Sequence, residues 1–251
     1  MKIICIIPSR YKSTRLEGKP LKDICGKPMI QHVYEAASKS TLATQVVVAT
    51  DDDRIFQAVQ GFGGQAAMTS VDHKTGTDRI SEVARGIEAD IVANIQGDEP
   101  LLDPRQIDEA IEPLIEDAQL KACTLCRRIT DEADLNNPNV VKTVFNQSGD
   151  ALYFSRAPIP YPRVRENHRA YEHIGIYVYR KDFLMEYVQM RQTPLEVSES
   201  LEQLRILENG IRLKVVETKY PEKALSVDTP EDLEAVRKIM SQRLAKDAGK
   251  S

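Results

Sequence analysis

The sequence has few cysteines, no long apolar run and no excess of positive charge, and each absence excludes a class of protein. Four cysteines among 251 residues do not make the framework of a disulfide-rich secreted domain. A formal net charge of −4 gives no domain-wide basic surface, so we expect no nucleic-acid partner and only local anion sites. The apolar run at residues 3–7 stops at Pro8, and no segment approaches the roughly 20 apolar residues of a transmembrane helix. The expected protein is cytoplasmic, without membrane insertion.

Internal repeats and low-complexity tracts are also absent, and the first half of the chain alternates buried strands with helices. The strands are predicted at 2–7, 45–49, 65–69 and 90–95, and the helices at 28–38, from a cap at 50–52 to about 60, and at 77–88. This order indicates an α/β fold with a mostly parallel sheet and helices on both faces. In such sheets, functional groups gather beyond the carboxyl ends of the strands.

The pattern changes after Lys121. Four alternating segments between 122 and 180 are typical of half-exposed antiparallel strands, and a proline-rich, charged stretch at 158–172 is expected to be a long loop. We expect a single domain, 1–251, in which about 122–180 forms a smaller antiparallel subdomain. Further helices are predicted at 181–189, at 198–208 with Gly210 as a stop, and at 230–244.

Three motifs imitate known sites but lack the necessary context. Residues 61–66 fit the dinucleotide-binding pattern G-x-G-x-x-G/A, yet a helix precedes them and a strand follows, which favours a helix C-cap turn. Gly18 and Lys19 lack the first glycine and the Ser or Thr of a P-loop. Cys123 and Cys126 lie three apart in a strand-like segment, so we expect two ordinary strand cysteines on opposite faces.

A cation-rich loop follows the first strand. It carries Arg10, Arg15 and Lys19, and hydroxyl groups at Ser13 and Thr14 add hydrogen-bond donors. A nucleoside triphosphate carries about four negative charges. Hydrogen bonds from Arg and Lys to such charged groups are about twice as strong as neutral hydrogen bonds, so this loop suits a triphosphate. A solvated surface loop is the alternative. The position at the carboxyl end of a strand favours the triphosphate site.

Two aspartates are candidate ligands for Mg²⁺, which prefers oxygen and often shares its ligands between one or two carboxylates and phosphate oxygens. Asp98 directly follows the buried strand at 90–95. Asp228 ends another short apolar stretch, one residue before the capping box that Thr229 and Asp232 are predicted to form. The local pattern leaves open whether Asp228 is a metal ligand or a partner of the helix dipole.

Segments along nearly the whole chain resemble, in the right order, the 3-deoxy-manno-octulosonate cytidylyltransferases, also called CMP-Kdo synthetases. They are PSRYKSTRLEGKPL, VATDDDRI, HKTGTDRI, NIQGDEP, NPNVVK, ALYFSRAPIP, HIGIYVYR, LEQLRILENG and VDTPEDL. The resemblance implies a Rossmann-like nucleotidyltransferase fold, a homodimer and Mg²⁺ as cofactor. It also implies transfer of CMP from CTP to 3-deoxy-D-manno-octulosonate (Kdo), a sugar acid of bacterial lipopolysaccharide, with release of pyrophosphate.

The resemblance further implies three overlapping groups of site residues, for catalysis, the nucleotide and the sugar. They are Arg15, Lys19, Asp98 and Asp228 for catalysis, with the two aspartates on the metal; Ser9, Arg10, Arg15, Lys19, Thr75, Gly76 and Gln96 for the nucleotide; and Gln96, Arg156, His173, Tyr177, Glu202 and Gln203 for the sugar. Arg156 is the natural partner of the sugar carboxylate, since a guanidinium meets a carboxylate with two parallel hydrogen bonds.

Two positions depart from the family pattern. Many relatives carry Ser in place of Thr75, which keeps a hydroxyl group, and Trp in place of Tyr161, which falls in the long loop. The second change bears on loop packing or on the choice of sugar.

Rival functions fit the same motifs less well or equally well. A non-catalytic nucleotide-binding regulator is disfavoured because both candidate metal ligands are present. A cytidylyltransferase for a polyol phosphate would need extra cations where this chain has His173 and Glu202. An enzyme for the 8-amino analogue of Kdo, or for another sugar acid, stays open because the same motifs serve it.

Overall fold

The computed structural model describes residues 1–13, 15–164, 166, 168–222 and 225–248, so the predicted role of the Thr14 hydroxyl lies outside the described residues. Within this part of the chain, nine strands form one mixed sheet and two short strands form a separate hairpin. The strands are β1 (Ile3–Ser9), β2 (Asp23–Ile24), β3 (Lys27–Pro28), β4 (Gln45–Thr50), β5 (Ala66–Met68), β6 (Ile91–Asn94), β7 (Ala122–Arg128), β8 (Lys142–Phe145), β9 (Ala151–Ser155), β10 (Tyr171–Arg180) and β11 (Leu213–Glu217).

The helices surround the sheet, and the three predicted for the first half of the chain are confirmed within two residues. They are α1 (Met29–Ala37), α2 (Asp53–Gly61), α3 (Gly76–Gly86), α4 (Pro104–Glu116), α5 (Glu132–Asn136), α6 (Lys181–Tyr187), α7 (Pro194–Glu199), α8 (Leu204–Glu208) and α9 (Pro230–Ala248). Pro28 is the extended N-cap of α1 and not its first residue. Among the described helices, none is both long enough and apolar enough to cross a membrane.

The sheet is mainly parallel around its centre, as the sequence predicts. Its order is β11-β7-β10-β6-β1-β4-β5, and β6, β1, β4 and β5 run parallel to one another. β10 lies between β6 and β7 and is antiparallel to both, whereas β11 is parallel to β7. The hairpin of β8 and β9 pairs with the start of β10.

Both faces of the sheet are covered by apolar side chains. In β1, Ile3, Cys5 and Ile7 pack into a cluster with residues of α1 and α4, while Ile4 and Ile6 point to the other face, towards α3 and α6. Successive strand residues alternate between the faces, so a run of apolar residues without alternation is the pattern of a strand buried on both sides. This burial fixes where each strand ends, and therefore where its following loop begins.

The strands after Lys121 correct part of the prediction. β7 is buried in its first six residues, so the expectation of a half-exposed strand is wrong there. β7 and β10 also lie inside the main sheet, and only β8 and β9 lie off its main path. The division of 122–180 into a smaller subdomain stays a prediction. Cys123 and Cys126 pack into the two different apolar clusters, which confirms that they face opposite sides, and burial raises the pKa of Cys126 to about 12.

The helix predicted at 198–208 is wrong, because two short helices replace it. α7 ends before Ser200, whose φ of 52° and ψ of 51° are left-handed, and α8 begins four residues later. Gly210, with a φ of 68°, follows α8 as predicted. The segment at 61–66 is also a helix C-cap turn as predicted: α2 ends at Gly61, and Gly63 has a φ of 80°.

Candidate functional site

A cavity of about 380 Å³, called here the main cavity, opens where β1 and β6 end. The loop after β1, the loop after β6 and the start of α3 meet there. Its lining includes many of the predicted site residues: Ser9, Arg10, Arg15, Lys19, Thr75, Gly76, Gln96, Asp98, Glu202 and Asp228. Lys12, to which the sequence assigns no role, is exposed and is not part of the lining.

The cation-rich loop is closed at its base by Gly18. The Gly18 amide donates to the Tyr11 carbonyl at 3.0 Å, and its φ of +66° is in the left-handed region. A Cβ atom at Gly18 would lie 2.9 Å from the Tyr11 hydroxyl oxygen, so no other residue fits without a shift. The Arg54 guanidinium stacks over the Tyr11 ring, 3.3 Å from the ring centroid, and pairs with Asp52. These contacts hold the loop against α2.

The two predicted metal ligands share one cation. Lys19 Nζ lies 2.8 Å from Asp98 Oδ2 and 3.1 Å from Asp228 Oδ1, and Arg15 Nη2 lies 3.1 Å from Asp228 Oδ2. The Lys19 side chain is 14% exposed and the Arg15 side chain 63%, so water screens the Arg15 pair more strongly. Both carboxylates are thus within reach of a single positive charge, which offsets their mutual repulsion.

The Asp228 carboxylate lies outside the capping box of α9, as the sequence predicts. The amides of Asp228 and Thr229 donate to Asp232 Oδ2 at 3.0 and 2.9 Å, and the Asp232 amide donates back to the Thr229 hydroxyl at 3.2 Å. This confirms the predicted capping box. The Asp228 carboxylate instead faces Lys19 and Arg15, which favours the metal-ligand interpretation.

The donor set of the main cavity fits a magnesium ion whose remaining coordination positions are filled by a bound ligand. Among the described residues, no group of three or more His, Cys, Asp or Glu side chains is placed to hold a metal by itself. Asp98 and Asp228 both place a carboxylate oxygen within hydrogen-bond distance of the Lys19 ammonium. Mg²⁺ commonly takes one or two carboxylates together with phosphate oxygens and water, so the donor set suits Mg²⁺ that arrives with a phosphate.

Three further residues of the main cavity are not singled out by the sequence. His73 pairs with Glu82, and Lys74 lies beside it in the lining. Arg79 is 4% exposed, pairs with Asp51 at 2.8 Å and donates to the Thr69 hydroxyl at 2.5 Å. The segment HKTGTDRI, just before and in the first turn of α3, carries all three, and this dense polar run at a helix start is the signal that points to them.

The predicted sugar residues His173 and Tyr177 lie side by side on β10. Their ring centroids are 5.2 Å apart, and the His173 ring also meets Phe154 edge-on at 5.1 Å. Removal from solvent lowers the pKa of His173 to about 3 and raises the pKa of Tyr177 well above its usual value. Both rings are therefore neutral at physiological pH.

Glu202 and Gln203 follow the left-handed turn at Ser200. The Glu202 carboxylate accepts a hydrogen bond from the Thr77 hydroxyl at 2.8 Å, and burial raises the pKa of Glu202. Gln203 is 3% exposed, and its Nε2 has no hydrogen-bond partner in the part of the chain that the structure describes. A buried donor without a partner is costly, so it marks a position that a ligand can satisfy.

Arg156, the predicted partner of the sugar carboxylate, is tied to the backbone. Its Nε donates to the Glu199 carbonyl at 2.8 Å, Nη1 to the Pro138 carbonyl at 3.0 Å and Nη2 to the Ser200 carbonyl at 3.4 Å. These bonds fix the turn that leads to Glu202. A guanidinium has five N–H donors, so Arg156 keeps donors for a ligand.

A buried lysine lies beneath Arg156. Lys142 is 0% exposed, and its Nζ donates to the carbonyls of Asn137, Val140 and Arg156 at 2.9, 2.6 and 2.6 Å. Desolvation lowers the pKa of Lys142. The buried ammonium thus fixes the backbone of Arg156 and of the segment before β8.

The structure does not gather all the predicted sugar residues in one cavity. Glu202 and Gln96 line the main cavity, whereas His173 lines a second cavity of about 140 Å³; Arg156, Tyr177 and Gln203 line neither. The two cavities adjoin at Gly175, which lines the second cavity and whose carbonyl accepts a hydrogen bond from Gln96 Nε2 at 3.1 Å.

Comparisons with known proteins agree with this architecture. The family model described as Cytidylyltransferase matches residues 4–219. A 3-deoxy-manno-octulosonate cytidylyltransferase of Geobacter metallireducens is 52% identical, covering 96% of this chain and 99% of that protein. One of Geotalea uraniireducens is 55% identical, covering 94% and 98%.

A solved structure is also similar to this chain along nearly its full length. It is a CMP:2-keto-3-deoxy-manno-octonic acid synthetase complexed with CTP, with 49% identity and a TM-score of 0.93 over 97% of this chain and 100% of that one. Matches of this identity along nearly the full length of both chains leave no ambiguity about the group. This chain belongs to the cytidylyltransferase family, among the 3-deoxy-manno-octulosonate cytidylyltransferases.

Proposed function

We propose that this protein transfers CMP from CTP to Kdo and releases pyrophosphate, which activates Kdo for lipopolysaccharide synthesis. The observation that carries the proposal is the main cavity, where Lys19 and Arg15 pair with two carboxylates, Asp98 and Asp228, and Arg10 adds a third cation to the lining. The solved relative holds CTP, and the named relatives are Kdo cytidylyltransferases.

The reaction is an in-line displacement at phosphorus. The anomeric hydroxyl of Kdo attacks the α-phosphorus of CTP and a new P–O bond forms, while the hydroxyl proton leaves to water. The bond from the α-phosphorus to the bridging oxygen breaks, and pyrophosphate leaves with its electron pair. No nucleophilic side chain is needed. Arg10, Arg15 and Lys19 bind and orient the phosphates, because positioning and charge stabilisation account for most of the catalysis in phosphoryl transfer.

We include Mg²⁺ in the proposal, held by Asp98 and Asp228. When bound, it supplies positive charge that offsets the charge of the phosphates and of the sugar carboxylate. In this structure Lys19 pairs with both aspartates. If Mg²⁺ took its place beside them, the Lys19 ammonium would be available to bind the phosphates.

A homodimer and a cytoplasmic location are also part of the proposal, and the family relationship is what supports them. The 8-amino analogue of Kdo is the second acceptor to consider. A neutral His173 and the carboxyl group of Glu202 can each accept a hydrogen bond from a hydroxyl or an amino group.

Pyrophosphate release tests the proposal. The full-length protein is incubated with Mg²⁺, one nucleoside triphosphate (CTP, UTP or ATP) and one acceptor: Kdo, 8-amino-Kdo, another sugar acid or a polyol phosphate. We expect release with CTP and Kdo and its loss when EDTA is present. Release with 8-amino-Kdo alone would reassign the acceptor, and no release with any sugar acid would overturn the proposal.

A further inference from the structure

Thr124, in β7, bridges the His173 ring and an irregular part of β10. Its hydroxyl oxygen lies 2.8 Å from His173 Nε2, 2.8 Å from the Ile176 carbonyl oxygen and 3.2 Å from the Ile174 carbonyl oxygen. Thr124 is 0% exposed, so water does not compete for these bonds. The register between β7 and β10 shifts between Ile174 and Tyr177, which brings both carbonyls to the same hydroxyl.

Hydrogen-bond accounting fixes the direction of each bond. A threonine hydroxyl donates one proton and accepts at its lone pairs, while a backbone carbonyl only accepts. If His173 Nε2 were an acceptor, the hydroxyl proton would point to the ring, and both carbonyl oxygens would face hydroxyl lone pairs without a proton between them. The arrangement with the least conflict has the hydroxyl donating to the Ile176 carbonyl and His173 Nε2–H donating to the hydroxyl, which leaves only the longer Ile174 contact, at 3.2 Å, without a proton of its own.

The other ring nitrogen is then an acceptor. Burial lowers the pKa of His173 to about 3, so the ring is neutral and carries one proton, which Nε2 holds. Among the described residues, none makes a hydrogen bond to His173 Nδ1. The ring lies beside Tyr177 and in the lining of the second cavity.

We infer that Thr124 is a positioning residue that holds His173 as the Nε2–H tautomer, so that His173 Nδ1 accepts a hydrogen bond from a hydroxyl or amino group of the sugar acid. The recognition half of this inference rests on the proposed function. It assigns tasks to two of the predicted sugar residues: the unprotonated Nδ1 of His173 repels a carboxylate, so the acid group of the substrate binds beside the remaining donors of Arg156.

Nitrogen-15 NMR of the imidazoles tests the tautomer directly, without any turnover. The chain has four histidines, and the His173 signals are identified by their loss in His173→Gln. In the wild-type protein we expect a protonated Nε2 and an unprotonated Nδ1, and in Thr124→Val a shift of the proton towards Nδ1. A protonated Nδ1 in the wild type, or an unchanged pattern in a folded Thr124→Val variant, overturns the inference.

Steady-state kinetics test the recognition. In Thr124→Val we expect the KM for Kdo to rise about tenfold, the effect of one lost hydrogen bond, with the KM for CTP unchanged. Thr124→Ser, which keeps the hydroxyl, should restore the KM for Kdo. Thr143→Val is the matched control: its buried hydroxyl donates to the Tyr153 carbonyl at 3.3 Å and contacts no ring nitrogen, so both KM values should hold.

The NMR and kinetic measurements distinguish a failure of the inference from a failure of the proposed function. If Thr124→Val moves the proton but leaves the KM for Kdo unchanged, the recognition half is wrong. If the wild-type protein does not act on Kdo at all, the proposed function fails, and the NMR result still decides whether Thr124 sets the tautomer.

Discussion

The ion-pair cluster of Lys19, Asp98 and Asp228 differs from the sugar side, meaning Arg156, His173, Tyr177, Glu202 and Gln203, although Glu202 also lines the main cavity. In the cluster, Lys19 stands between the carboxylates of Asp98 and Asp228. On the sugar side burial favours the neutral forms of His173, Tyr177 and Glu202. A triphosphate and a metal need full charges that can change partners, while discrimination between sugars needs donors and acceptors of fixed direction.

The largest expected effect is on the charged side. Asp98→Asn removes a carboxylate that we propose binds Mg²⁺, so we expect kcat to fall about 1,000-fold with the fold intact, which is the upper range for loss of one charge-stabilising group. Asp53→Asn, an exposed aspartate in the first turn of α2, is the control and should leave kcat unchanged. Pyrophosphate release and thermal melting measure both. Near-normal turnover in Asp98→Asn would remove this residue from the metal site.

Next comes the buried cation beneath the sugar side. Lys142→Met leaves the carbonyls of Asn137, Val140 and Arg156 without their donor, so the free energy of unfolding should fall by about 3 kcal/mol. Urea unfolding measures this change. Lys27→Met, which alters a partly exposed pair with Glu35, should cost less than about 1 kcal/mol. Equal losses in the two variants would show that the three carbonyl contacts carry no special weight.

A pH-dependent stability follows from His173. Its pKa is about 3 in the folded protein and about 6.5 in the unfolded chain, so below pH 6.5 the unfolded chain binds a proton that the folded protein does not. Stability therefore falls as the pH drops, by about 1.6 kcal/mol between pH 6.5 and 5 from this residue. His173→Asn should lose this part of the slope, measured by urea unfolding at the two pH values. His168→Asn, a change at a partly exposed histidine, should keep it, and a wild-type slope in His173→Asn would place the titration elsewhere.

The smallest effect concerns one exposed cation of the main cavity. Arg10→Ala should weaken CTP binding about tenfold at low salt, and the difference should shrink as salt is added because screening already weakens the contact. Lys12→Ala is the matched control, since Lys12 lies in the same loop but does not line the cavity. Calorimetric titrations at two salt concentrations measure both. Equal losses in the two variants would make the loop a general basic surface.

The parallel half of the fold could be predicted because its signals are local. β1, β4 and β6 are apolar runs followed by polar loops, and Asp52 and Thr75 cap the next helices through contacts two or three residues away. The break at Ser200 could not, because Arg156, more than forty residues away, bonds to the carbonyls of Glu199 and Ser200. β11 shows a further limit, since the burial of Leu213 and Val215 depends on pairing with β7.

The candidate site likewise has residues that the sequence predicts and residues that only the structure shows. Lys19 lies in the loop after β1 and Asp98 in the loop after β6, so the positions of the two strand ends predict that they meet at one sheet edge, and the structure brings them together. Arg79 needs partners on two other loops, Asp51 and Thr69, which no short pattern reveals. Thr124 looks like an ordinary buried strand residue until the irregular part of β10 is seen.

Because β10 runs against β6 and pairs with it only through Tyr177–Arg180, its first half projects past the end of β6, towards the site. Arg10, Lys19 and Asp98 come earlier in the chain than residues 122–180, and Asp228 comes later. Three of the six residues predicted for the sugar, Arg156, His173 and Tyr177, lie within 122–180, whereas the residues predicted for the nucleotide and the metal all lie outside it. We therefore expect substitutions of the predicted sugar residues within 122–180 to change the choice of sugar more than the binding of CTP, although β7 and β10 themselves lie inside the main sheet and hold it together.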